Sequence, residues 1–225
     1  MLAISLGAAG TLHAAVEQSA PDGFLLALSM QTRAQPSAVY AALAKPQTWW
    51  SDDHTWSGKA TNLSFAAEAG GCWCERWAEG SAQHGRVLMA LPGRMLRIET
   101  ALGPLQEFAL HGVLTYWIRA GEGEDAATTL DLEYRVNGSS ASGLDAGAAD
   151  VDAVLTLQLE RLWRYLETGN PAPPAEPEEK DASSHERAAA AAERAAILEA
   201  WRKSAEQEAA AAKKKRAQEP KPPKP

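Results

Sequence analysis

The sequence predicts an α+β domain: a curved antiparallel sheet of seven strands wrapped on one long C-terminal helix, with two short helices after the first strand. Three observations predict it. Val151, Val154, Leu155, Leu159, Leu162, Trp163 and Leu166 recur at helical spacing near the end of the patterned region. Runs with strand-like alternation, broken by Gly- and Pro-containing turns, fill residues 62–136. One more such run, Phe24 to Thr32, stands alone ahead of them. A sheet with one apolar face needs a covering element, and the long amphipathic helix supplies it.

The elements follow in order. Phe24, Leu26, Leu28 and Met30 alternate and mark the first strand. Gln35-Pro36-Ser37 opens a short helix over 37–44, which must stop before Pro46. A compact Trp-rich segment of one or two helical turns runs through Trp56. Strands are then expected over 62–68, 72–79, 85–91, 95–102, 107–118 and 128–136. Gly70-Gly71, Gly80-Ser81 and Pro92-Gly93-Arg94 break the first of these. In the last, Leu130, Leu132, Tyr134 and Val136 alternate with Asp131, Glu133 and Arg135. The final helix spans 146–167 and Gly169 stops it.

The flanks differ in composition. Residues 1–15 are small and apolar, like the core of a secretory signal, with cleavage expected after Ala14 or Ala15, although no Lys or Arg precedes Arg33. This points to an exported, periplasmic protein; the plain alternative is the N-terminus of a cytoplasmic one. After residue 169, a proline-rich linker covers 170–182. Ser183 and Glu186 form a capping box for a charged, Ala-rich helix over 183–217, and a Pro/Lys tail covers 218–225. The basic cluster Lys213 to Arg216 suits contact with a protein or an anionic surface; the plain alternative is a solvated spacer.

Charge narrows the function classes. Residues 1–175 hold 11 Lys/Arg against 19 Asp/Glu, a net charge of −8. An acidic body argues against nucleic acid, which needs a basic face. No run of apolar residues is long enough for a transmembrane helix. The only cysteines are Cys72 and Cys74. In a regular strand their Cα atoms stand about 6.5 Å apart with parallel side chains, near the upper limit for a disulfide. They read as two small thiols packed under the sheet. No second cysteine pair completes a metal site, and no metal or other cofactor is expected.

Five of the eight tryptophans fall within residues 46–80, interleaved with Asp, His and Glu. Large apolar faces beside groups that hydrogen-bond suit a cavity wall. Trp73, Glu75 and Trp77 share one strand face, with Cys72, Cys74 and Arg76 on the other. With the tryptophans inward, Glu75 is desolvated and its pKa raised, as a general acid or a ligand hook requires. The plain alternative is a Glu75 paired with an arginine of a neighbouring strand. His54, beside Asp52 and Asp53 and near Trp56, is a candidate acid–base group at the expected mouth, or a solvated loop histidine. Trp49 and Trp50 either line the cavity or anchor the short helices. Tyr116 and Tyr134 share a phase with apolar residues, and Leu159 and Trp163 lie on the apolar stripe of the last helix. His84 follows a turn and reads as a strand-end residue. No nucleophile elbow, P-loop, zinc-protease or dinucleotide motif is present.

The order of elements, with Pro36-Ser-Ala-Val39-Tyr40, Trp49-Trp50-Ser51, Gly70-Gly71, His84-Gly85-Arg86-Val87, Ala101-Leu-Gly-Pro-Leu-Gln106, Val151-Asp152-X-Val154 and Gln158-Leu159-X-Arg161-Leu162, resembles the START-like (SRPBCC) superfamily over residues 22–169. The resemblance implies a helix-grip fold with an interior cavity opening near the two short helices. Relatives include lipid carriers, polyketide cyclases and aromatases, hydrolase-like proteins and an activator of a heat-shock chaperone. Three functions follow as expectations: binding of a hydrophobic, lipid-like or aromatic molecule; a cyclase- or hydrolase-like enzyme using Glu75 or His54; or a protein-interaction module with a vestigial cavity.

Overall fold

The computed structural model describes residues 13–123 and 126–173. Eight strands form one antiparallel sheet: β1 (His13–Ala20), β2 (Gly23–Thr32), β3 (Leu63–Phe65), β4 (Cys72–Trp77), β5 (Gly80–Leu91), β6 (Met95–Thr100), β7 (His111–Arg119) and β8 (Thr128–Asn137). Their spatial order is β1-β2-β8-β7-β6-β5-β4-β3, so the curved sheet stays open, with β1 and β3 at its edges. Helix α1 (Pro36–Leu43) follows β2, and helix α2 (Ala148–Thr168) ends the described domain. This is a helix-grip-like architecture.

Alternation sets the inner face. Leu26, Leu28 and Met30 of β2, Leu130, Leu132 and Tyr134 of β8, and Leu114 and Tyr116 of β7 are all buried. Leu155, Leu159 and Leu162 of α2 complete the core, and α2 packs on β1, β2 and α1. Gly169 ends α2 with φ 77°, and its N–H donates to Tyr165 O at 2.8 Å. A residue with a Cβ would be strained in that left-handed cap. Glu167 ties the same end to the sheet, accepting from Thr32 Oγ1 at 2.7 Å and from Arg33 N at 2.9 Å.

The eighth strand corrects the expectation of seven. β1 pairs with β2 along its length, but the described side chains, Ala15 to Ala20, are all exposed. A strand with no buried face has no polar/apolar alternation to read. It begins at His13, so cleavage after Ala14 or Ala15 would remove its first two or three residues. The expected strand over 107–118 is shorter: Gly103–Phe108 is a 3-10 helix, and β7 starts at His111. The helices and tail expected beyond residue 173, and most of the leader, lie outside the described residues. No helix among the described residues is long and apolar enough to cross a membrane.

Candidate functional site

The segment joining α1 to β3 runs as three short 3-10 turns, Pro46–Thr48, Asp52–His54 and Ala60–Asn62. Its tryptophans anchor it. Trp49 Nε1 donates to Ala42 O at 2.8 Å and Trp50 Nε1 to His54 O at 2.9 Å. Both rings are buried and meet edge to face, centroids 5.5 Å apart. Trp50 meets Trp73 of β4 in the same way at 5.0 Å, and Phe65 meets Trp73 at 6.3 Å. Such aromatic pairs contribute about 0.5–1.5 kcal/mol each beyond the area they bury.

Three long-range fasteners hold this segment. From α2, Arg161 Nε donates to Trp49 O at 2.9 Å and its Nη2 to Trp50 O at 3.3 Å. One turn earlier, Gln158 Oε1 accepts from Ser51 N at 2.9 Å. That fixes the amide orientation, so Gln158 Nε2 donates to His54 Nδ1 at 3.0 Å. From the sheet, Glu75 Oε2 accepts from Trp56 N at 3.0 Å and Oε1 from Ser57 N at 2.6 Å. Asp52 Oδ1 closes the loop on itself, accepting from Ala60 N at 2.6 Å.

Glu75 is fully buried, and its partner is a histidine. His84 Nε2 lies 2.8 Å from Glu75 Oε2. A β-bulge makes the meeting possible. The β4–β5 register runs Trp73↔Gly85 and then Cys74↔Gln83, so His84 is the extra residue on β5. The bulge turns His84 inward beside Gly85, and both are buried. His84 is therefore a mid-strand residue, correcting the strand-end reading, and its ring lies 5.5 Å from Trp73. Gly85 allows the close approach: a Cβ there would stand 2.7 Å from Ile98 Cγ2 and 2.9 Å from Glu99 O. Gly85→Ala is expected to destabilise the domain by about 1–3 kcal/mol, read as a lower urea midpoint.

The carboxyl of Glu75 moves opposite to the expected direction. Burial pushes its pKa up, but the hydrogen bonds from the Ser57 hydroxyl and N–H, from Trp56 N–H and from His84 outweigh burial and hold it below the usual carboxylate range. With both oxygens engaged, Glu75 is an ionised anchor.

Inside the segment lies a small cavity lined by Leu43, Pro46, Trp49, Trp50, Phe65, Trp73, Ile98 and Tyr116. Its volume of about 10 Å³ is room for a single water. Two polar groups belong to its wall residues. Trp73 Nε1 is buried without a hydrogen-bond partner. Tyr116 is buried, and burial pushes the pKa of its hydroxyl far up.

The structure therefore brings Trp49, Trp50, Trp73 and Tyr116 together around the cavity and places Glu75 and His54 in its fasteners. It separates the others. Trp56 is about half exposed. The Trp77 ring covers Gly80 at the β4–β5 turn. Tyr134 Oη donates to Thr100 O at 3.1 Å, away from the cavity wall. Leu159 is core, and Trp163 packs partly exposed at its margin. The reading of Cys72 and Cys74 as free thiols is corrected: they form a disulfide, with Cα atoms 5.5 Å apart where the register shifts at the bulge. His84, Gln158, Arg161 and Ser57 are the site residues that the sequence reading missed. Among the described residues, no group of His, Cys, Asp and Glu side chains is arranged to hold a metal.

No protein-family model matches the chain, and no curated protein matches it. Solved structures resemble it in fold. A conserved protein of unknown function from Enterococcus faecalis, EF2215, is 14% identical with a TM-score of 0.48, covering 76% of this chain and 82% of its own. CalU16 from Micromonospora echinospora is 18% identical with a TM-score of 0.46, over 73% of this chain and 86% of its own. SA2116 from Staphylococcus aureus, also of unknown function, is 11% identical with a TM-score of 0.47, over 66% and 96%. At these identities the likeness is one of fold.

Proposed function

We propose that this protein binds one small hydrophobic molecule with an aromatic or lipid-like body, held where Trp49, Trp50, Phe65, Trp73 and Tyr116 converge. The carrying observation is a buried polar group without a partner, the Trp73 N–H, set in an aromatic wall that also holds Tyr116. Buried polar groups are nearly always satisfied, so such a donor in an aromatic wall suits a ligand's polar end. The START-like resemblance points the same way.

The cavity offers about one water's volume, and typical ligand sites need about 300–1,000 Å³. Entry therefore requires the 46–57 segment to swing away from the sheet. Four of its fasteners are hydrogen bonds to charged groups, worth about 1.5–3 kcal/mol each, so a ligand's binding energy must offset a substantial opening cost. Export belongs to the same proposal. The disulfide supports it, because such bonds persist in oxidising compartments.

Titration with palmitate and with 1-anilinonaphthalene-8-sulfonate, followed by tryptophan fluorescence and native mass spectrometry, tests the reading. One equivalent bound, with binding weakened about tenfold by Trp50→Ala, is expected. Absence of binding to either probe and of any co-purifying mass overturns it. A second reading, an interaction module with a filled interior, is favoured by the cavity's small volume. It predicts that negative result.

A further inference from the structure

We propose that the Cys72–Cys74 disulfide is a redox site that accepts two electrons from an external dithiol, and not a brace of the fold. The bond joins residues two apart within one strand. It links no second element, and so short a loop removes little entropy from the unfolded chain. Stability alone does not account for it.

Its position does suit exchange. Cys72 and Cys74 lie on the face of β4 opposite Trp73 and Glu75, and both are partly exposed. The neighbour on one side, β3, is a three-residue edge strand, so the approach from that side is short of cover. Arg86 stands directly across from Cys72 in register, and Arg76 follows Cys74 on the same face. Glu99, across from Arg86 on β6, is engaged with His111 at 3.1 Å. Arginines on the same face as a disulfide raise the local positive potential, which stabilises a departing thiolate and makes it the better leaving group. The chain has no third cysteine, so the exchange partner must come from outside.

The step balances simply. A thiolate of the dithiol bonds to Cys74 Sγ, the Sγ–Sγ bond breaks, and its electron pair leaves on Cys72 Sγ, on the sheet face that also carries Arg86. The second thiol of the reductant, losing its proton, then displaces Cys74. The reductant departs as a disulfide, and the protein holds two thiols after taking up two electrons and two protons.

The test uses the full-length protein, purified without reductant and treated with dithiothreitol in native buffer. Thiols are counted with 5,5′-dithiobis(2-nitrobenzoate) while circular dichroism reports the fold. The expected result is no thiol before reduction, both cysteines titrating after it with an unchanged spectrum, and closure again with oxidised glutathione. Thiols that appear only in guanidinium overturn the proposal. So do two thiols present at the outset that oxidised glutathione leaves open. Arg86→Gln is expected to slow native reduction roughly threefold without moving the thermal midpoint; an unchanged rate overturns the role given to Arg86.

Discussion

Glu75→Gln is expected to lower stability by about 2–3 kcal/mol, the cost of losing hydrogen bonds to a buried carboxylate and leaving a buried donor without its acceptor. The amide keeps one acceptor oxygen, but its NH₂ group faces the N–H donors of Trp56 and Ser57 or the ring of His84. At least one buried donor then loses its acceptor. The same residue sets an acid limit. Its folded pKa lies below the unfolded value of about 4.3, so the unfolded chain takes up a proton first as pH falls. The contribution of Glu75 is fully present above about pH 5 and is lost as pH drops through its lowered folded value. Urea midpoints measured from pH 7 to pH 3 should fall steeply in the wild type and less in Glu75→Gln. Equal slopes would mean that Glu75 is not ionised in the folded state.

Trp73→Ala carries the second large effect. Trp73 is buried and packs against Trp50, Phe65 and His84, so its removal is expected to cost about 3–5 kcal/mol. The emptied volume adjoins the existing cavity, so the variant should hold an indole-sized guest. Millimolar indole is then expected to raise the thermal midpoint of Trp73→Ala by several degrees and leave the wild type unmoved. No shift in Trp73→Ala would show that the site collapses instead. Trp73→Phe should cost less, about 1–2 kcal/mol, because it also removes an N–H that has no partner.

The parts of this molecule that were legible in its sequence are those governed by a single period. β8 was readable because Leu130 to Val136 alternate without interruption, and α2 because its apolar stripe is unbroken from Val151 to Leu166. The aromatic cluster was readable for its density of tryptophan. The Glu75–His84 pair was not, because a bulge adds one residue and shifts the phase on one side only. Gly80-Ser81 looked like a turn, whereas the turn is Ala78-Glu79 and Gly80 already pairs with Trp77. Gln158 and Arg161 were equally hidden. Helical spacing says which residues face the core but not which polar ones reach across to a loop more than a hundred positions away.

The open sheet has a consequence for life at high concentration. Its two margins offer unpaired backbone groups on which a second copy could lay a strand. One margin is blunt, since β3 is three residues long. The other, β1, is longer and exposed, yet its ladder is interrupted between Val16 and Gln18, where Glu17 is the residue left over. A kink bearing a negative charge spoils the straight template that fibril growth needs, so this margin guards the protein against polymerising with itself.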